Sequence, residues 1–551
     1  MGDKKTEFLK MNLTDMRKDG NEFFNFDRDL NENFEILDNT FGNLPQGVPP
    51  SNCANLRIEK NGTSVQLKWK DPSDTVIENQ TVCTWAKTLI VRKAGDYPAN
   101  PSEGEIIATN TIRNQYNLTA LADTLPDETN EYFYRAFPVS ANNVVNLNGF
   151  NKFGQSEVYE FVIDQKNSNP AGCISYPEGS INEKFIPAKM DYTSNVFNYG
   201  SWADAFFMQL FKPCMLKYDG TVDYYLDPND YSKKLDGAAS DVSNTAYGGN
   251  AMVEIGQIWI EEFLQNGKIH VRIGNKKFSD NADCYTHQKK DGSYCKNIYR
   301  GLFDGANVSN KIRTIAGQNM CKSVAGDTQI AYAKANGAGW NVDEYNLRRL
   351  INYLLLLIGK STDTQSVFGT GRYTGYVNES NTNQINTTGT LKDKGMFYGD
   401  NNNGLVKVFH IENWWGNIWK ITNGIIQKNG KLLYKMCEGT HDGSTVQDYN
   451  TTGNGYIDSG VTLPGTVSQL YIKRMELVPG LGLVPTANAG GTSTTFYCDG
   501  CWSNASNVGF ARFGCAPGDG FLVGAFAFTV HNPSSHSTWI FGVSLSYKSP
   551  L

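Results

Sequence analysis

The sequence predicts a mainly β protein with some α structure, of the α+β class. Three observations carry this expectation. Charged residues make up only 19% of the chain while glycine occurs 54 times, a balance that loop-rich β structure tolerates and helical bundles do not. Short apolar runs with inward–outward alternation recur between turn residues. Helical spacing is confined to two segments, one near the N-terminus and one over 343–358. With 551 residues the chain has room for about three domains at ~150 residues each.

Residues 1–47 read as a helical oligomerisation segment. Phe23, Leu30, Phe34, Leu37, Phe41 and Leu44 fall at seven-, four- and three-residue steps, interrupted once by Asp27. That spacing lays one apolar stripe along a coiled-coil helix. A helix this short is not stable alone, so the stripe needs a partner. Phe at the seam favours three strands, hence a homotrimer; packing on its own chain is the alternative. Leu44-Pro45-Gln46-Gly47-Val48-Pro49-Pro50 then forms a stiff linker.

Residues 51–165 read as a β-sandwich. Val65–Lys70 alternates and ends at Asp71-Pro72, Thr88–Lys93 is a second strand, and Glu131–Val139 alternates again. These strands resemble a fibronectin type III module. The resemblance implies that Trp69 is the core tryptophan, that Tyr132 is a tyrosine corner, and that the module is a spacer or presenter.

Residues 166–185 read as a connector and 186–551 as one large unit. Cys214–Leu226 has a hairpin pattern around Asp219-Gly220. Met252–Ile260 reads as one buried strand, with Ile269–Ile273 as its partner. Leu347, Leu350, Ile351, Leu354, Leu355 and Ile358 share a helical face that Gly359 should end. Residues 377–388 are rich in Asn and Thr and read as a surface loop. Gly369-Thr370-Gly371-Arg372-Tyr373-Thr374-Gly375 reads as a tight turn, because no strand–turn–helix context surrounds it.

The C-terminal segment is the most informative. Arg512-Phe513-Gly514-Cys515-Ala516-Pro517-Gly518-Asp519-Gly520 leads into Gly524–Phe528, then into Trp539–Tyr547. This order resembles the variable segment of C-type-lectin-like proteins diversified by phage and bacterial retroelements, and the end of the formylglycine-generating-enzyme fold. Trp415-Gly416-Asn417-Ile418-Trp419 resembles an internal core motif of the same domains. The resemblance implies a large C-type-lectin-like domain that binds through loop side chains on a rigid frame. Against that family's common Trp-Asn-Ile-Gly-Ala-x-Leu-Ser-Tyr ending, this chain carries Ile540 and Phe541, each reachable by one adenine change. Val543 is not reachable in that way. By the same matching, Cys515, Pro517, Asp519, Phe521, Leu522, Val523, His531, His536 and Thr538 are candidate variable, ligand-binding positions beside Ile540 and Phe541.

Several classes are disfavoured. A net charge of −6 without a basic run gives no electrostatic source for nucleic-acid binding. The longest apolar run, Leu354–Ile358, is too short to span a membrane. The N-terminus lacks the apolar stretch of a secretion signal, and eleven cysteines then suit synthesis in a reducing cytoplasm. Catalysis is not expected. Cys515 has no second cysteine downstream for the copper-thiolate chemistry of formylglycine-generating enzymes. No hydrolase or phosphate-loop signature is present. No cofactor is expected either. Cys498-Asp499-Gly500-Cys501 lacks a matching second pair for zinc. Asp400-Asn401-Asn402-Asn403 reads as an Asn-rich turn that could hold a structural calcium ion.

Taken with the family resemblance, these readings imply a bacteriophage virion fibre, assembled in the host cytoplasm and exposed on the virion surface. Its N-terminus would join other virion proteins, and its C-terminal domain would bind a host-surface receptor, glycan or protein. The alternatives are a head-decoration or baseplate fibre and a bacterial lectin-like adhesin.

Overall fold

The computed structural model describes residues 47–550 apart from 78–79, 148–150, 155–156, 290, 376–384, 436–449, 464, 488–489 and 507, together with short strands at Lys4–Lys5 and Asn12–Leu13. The stripe residues Phe23, Leu30, Phe34, Leu37 and Phe41 lie outside the described residues, as does most of the expected 377–388 loop. The fold is mainly β, with 40% of residues in strands against 9% in helices. It divides into two compact units, Met1–Gln155 and Ser156–Leu551.

In the first unit, Ser64–Lys70 lies between Ala54–Asn61 and Leu121–Thr124, and Trp85–Ala94 lies between Tyr132–Ser140 and Glu105–Asn110. The alternation of Val65, Leu67 and Trp69 points all three inward, where they meet Ile90, Tyr134 and Ala136 of the other sheet. At the end of Ser64–Lys70, Asp71 is buried and accepts four hydrogen bonds. They come from Trp69 Nε1 (2.8 Å), Thr88 Oγ1 (2.5 Å), Asn110 Nδ2 (2.8 Å) and the Asn114 amide (2.8 Å). A buried carboxylate is tolerated because its acceptor capacity is filled. The Tyr132 hydroxyl donates to the Asp127 carboxylate rather than to upstream backbone, and Tyr134 is the buried tyrosine of that strand.

The second unit begins earlier than the sequence reading placed it. Val158–Ile163 pairs with Lys268–Gly274, and Ile174–Ser175 adds to its other edge. The expected connector is therefore partly built in: Cys173, Ile174 and Tyr176 are buried. The unbroken strand expected over Met252–Ile260 is two strands, Gly249–Gly256 and Trp259–Gln265, and Lys268–Gly274 pairs with the second. The expected hairpin forms between Phe211–Lys217 and Val222–Asp227. Gly220 sits at φ 84 against the Tyr547 ring, where a Cβ would collide.

The largest sheet has fifteen strands. Its centre is made by the end of the chain. Leu545–Lys548 is antiparallel to both Asn297–Gly301 and Trp340–Glu344, and the latter runs parallel to Trp419–Lys428. Beyond that follow Gly509–Phe513, Phe528–Val530 and Gly500–Asn504. Helix Tyr345–Gly359 leaves directly from Trp340–Glu344, and every one of its residues is buried. Gly359 remains helical, and Lys360, at φ 49, provides the left-handed stop. Two late carbonyls are capped from the 166–188 segment: Tyr176 Oη donates to Leu357 O (2.6 Å) and the Ala188 amide to Ile358 O (2.7 Å).

Candidate ligand-binding face

The terminal loops hang from strands with no exposed residue. Gly509–Phe513, Phe528–Val530 and Leu545–Lys548 are buried along their length. The stretch between the first two is held by side chains that the sequence reading had assigned to ligand binding. Cys515 takes a left-handed conformation (φ 66), and its buried thiol donates to Leu522 O at 3.6 Å. Asp519 Oδ2 accepts from the Ala516 amide (2.7 Å) and from Trp419 Nε1 (3.0 Å). The Gly518 and Gly520 amides both donate to Tyr373 O, at 3.0 and 3.2 Å. Asp519 is thus the anchor of a turn. Burial pushes its carboxyl up to about 6, against the opposing pull of those two donors.

The ten expected ligand-binding positions divide by burial. Cys515, Pro517, Val523 and Phe541 are buried. Val523 offers its carbonyl to Gln365 Nε2. Phe541 lies beneath the Arg512 guanidinium, 4.0 Å from the ring centroid, and 5.5 Å from the ring of His536. Phe521, by contrast, is 54% exposed, with its ring 4.8 Å from that of Tyr373. His536 is exposed, and His531, Thr538 and Ile540 are half-buried. Partial desolvation, with Arg512 and His531 nearby, holds the exposed His536 imidazole below its ordinary range.

Trp419 joins the two loops. Its indole holds Asp519, its backbone amide donates to Ile540 O (2.9 Å), and its ring meets Trp502 edge-on at 5.1 Å. The other half of the motif is equally structural: Trp415, like its neighbour Trp414, is wholly buried, and the Gly416 amide donates to Gly514 O (2.5 Å).

Beside Phe521 opens a cleft of about 310 Å³, lined by Tyr192, Asp363, Gln365, Ser366, Thr370, Asn401, Ser493, Thr494 and Phe521. Of these the sequence marks Phe521 as a binding position, and Thr370 and Asn401 only as parts of turns. The others come from separate segments around 192, 363–370, 401 and 493–494, and no local pattern joins them. Gln365 ties the cleft to the terminal loop by donating to Phe521 O (3.0 Å). Tyr192 Oη donates to Gln365 O (3.2 Å) and Ser366 O (3.1 Å), and Thr370 Oγ1 to Asp400 O (3.1 Å). Burial, with Asp363 and Asp400 nearby, pushes the Tyr192 phenol well up, so it stays protonated.

The Asp400–Asn403 segment is a hydrogen-bonded turn. Asp400 Oδ1 accepts from the Asn402 amide (2.7 Å), and Asn403 Oδ1 accepts from the Tyr373 and Thr374 amides, both at 2.8 Å. Gly369, Gly371 and Gly375 all have positive φ, the backbone of tight turning. Among the described residues no three His, Cys, Asp or Glu side chains group to hold a metal ion. Cys498 and Cys501 are buried free thiols.

No family model matches the sequence, and no curated protein matches it significantly.

Proposed function

We propose that the protein is a bacteriophage virion fibre that binds a host-surface receptor, glycan or protein, through its C-terminal domain. In this reading residues 1–47 trimerise the chain and join it to other virion proteins. Residues from 51 form a fibronectin III-like spacer, and the second unit is a C-type-lectin-like binding domain exposed on the virion surface. It acts without catalysis. The observation that carries the reading is the division of labour in the last forty residues. The strands are buried within the largest sheet, while on the loops between them Phe521 and His536 are exposed and His531 and Ile540 half-buried. Such a frame tolerates side-chain change on its loops because the loops do not carry its stability. The two facing sheets around Trp69 support the spacer reading. Three weak sites on one trimer would raise avidity by orders of magnitude.

The test is saturable binding of the purified full chain to a panel of bacteria, with Phe521→Ala/His531→Ala/His536→Ala in parallel and mass determination by light scattering. Trimeric protein that binds a subset of strains, with binding lost in the triple variant, is expected. Binding to none of the strains, or binding unchanged in the variant, would refute the receptor-binding reading and favour a decoration role.

A further inference from the structure

We propose that the cleft beside Phe521 is a binding site for a neutral sugar ring. The inference rests on the reading of the second unit as a surface-ligand binder, and it specifies the ligand by the chemistry of the lining.

The cleft offers one apolar surface and many directional groups. Phe521 is the only large purely apolar side chain in its lining, and among the described residues it is one of the most exposed aromatics. Its ring is supported from one side by Tyr373 and its backbone is fixed through Gln365, so little order is lost on binding. Leaving 54% of a Phe in water costs free energy that a ligand with a flat apolar face would recover. The rest of the lining is hydroxyl, amide and a single carboxylate. Tyr192 and Thr370 spend their protons on backbone carbonyls and so present lone pairs as acceptors. Asp363 uses Oδ1 to accept from the Ser366 amide (3.0 Å), and Oδ2 has no hydrogen-bond partner among the described residues. A free carboxylate oxygen beside hydroxyl and amide groups suits a ligand that donates several hydroxyls at once.

The same lining excludes other classes. It contains no Lys or Arg, and Asp363 and Asp400 are both near enough to Tyr192 to act on its phenol, so an anionic ligand meets negative charge there. Eight of its nine residues carry a polar group beside the apolar surface of the Phe521, Tyr192 and Thr side chains, so a ligand with both an apolar face and hydroxyls uses more of the lining than a purely apolar one. The volume sits at the lower end of small-molecule sites, about 300–1,000 Å³, and matches one or two sugar rings rather than a folded partner. A ring with an apolar CH face and equatorial hydroxyls satisfies all of these conditions together.

The experiment is calorimetric titration of the full chain with neutral methyl glycosides (glucoside, galactoside, mannoside and N-acetylglucosaminide) and with sialyllactose as an anionic control. At least one neutral glycoside should bind with Kd near ~1 mM and be insensitive to salt. Sialyllactose should bind more weakly. Phe521→Ala should weaken binding at least ~10-fold, Phe521→Trp should preserve it, and Asp363→Asn, which keeps the cap to Ser366, should weaken it. Thermal melts check that each variant folds. Failure of every neutral glycoside to bind, or equal binding to wild type and Phe521→Ala, would overturn the proposal. Cell binding in the preceding test that no glycoside competes would sink the sugar site and leave the receptor-binding reading standing. Absence of cell binding with a glycoside still held at Phe521 would do the reverse.

Discussion

Asp519 makes the sharpest quantitative prediction. Its carboxyl lies at about 6 instead of 3.8, because the folded chain withdraws it from water beneath the 515–520 turn. A carboxyl raised on folding holds its proton more tightly in the native state. Its stabilising contribution is therefore complete below about pH 4 and is lost as pH rises through about 6. The shift of about two units corresponds to ~3 kcal/mol at 1.36 kcal/mol per unit. The side chain keeps partial solvent access, which reduces the expected loss to about 2 kcal/mol. Asp519→Asn preserves an acceptor for Ala516 N and Trp419 Nε1 but cannot ionise. Denaturant titrations of wild type and variant from pH 3.5 to 8 isolate this one group from the other carboxylates. Their difference should be near zero at pH 4 and should grow to about 2 kcal/mol in favour of the variant by pH 7. A pH-independent difference, or one that favours wild type at pH 7, would refute the burial argument.

Two further outcomes follow from the fold. Asp71→Ala strips three buried donors and the Asn114 amide of their acceptor and should cost the first unit about 3–5 kcal/mol, seen in calorimetry as a lowered first-unit transition with the second-unit transition unmoved. Deleting residues 545–551 should abolish cooperative unfolding of the second unit and leave it sensitive to limited proteolysis, while the sandwich survives; a deletion that keeps the second-unit melting temperature would contradict the central place of that strand.

Much of the architecture is legible where periodicity and turn chemistry act locally. The broad apolar face over 347–358, the Asp219-Gly220 hairpin and the alternation of Val65, Leu67 and Trp69 each encode their element in a few neighbouring residues. Pairing across long separations leaves no such mark. Val158–Ile163 alternates like any edge of the sandwich, but its partner lies over a hundred residues downstream. The break at Gly256 is hidden because the apolar run resumes at once with Ile258, Trp259 and Ile260, leaving Gln257 as the one polar residue between the two strands. In the loops, residue type does not report direction. Cys515, Val523 and Phe541 turn inward while Phe521 turns out, and only the tertiary hydrogen bonds of Asp519, Gln365 and Trp419 decide which. The cleft is less legible still, because its lining comes together only when the chain is folded.

The position of Leu545–Lys548 in the sheet explains how the loops before it are held. Leu545–Lys548 joins Asn297–Gly301 to Trp340–Glu344, so the last strand closes the sheet from the middle. With it in place the loops before it are fixed at both ends. Trp419 then ties the two loops to each other through one indole and one amide, neither of which depends on the identity of Phe521, His531 or His536. A substitution at those positions leaves every one of these ties intact. The same change at Asp519 or Cys515 removes a tie and moves the loop. Tolerance on this face is therefore set by which side chains hold the turn, and sequence variation that respects the physics should concentrate at the projecting positions.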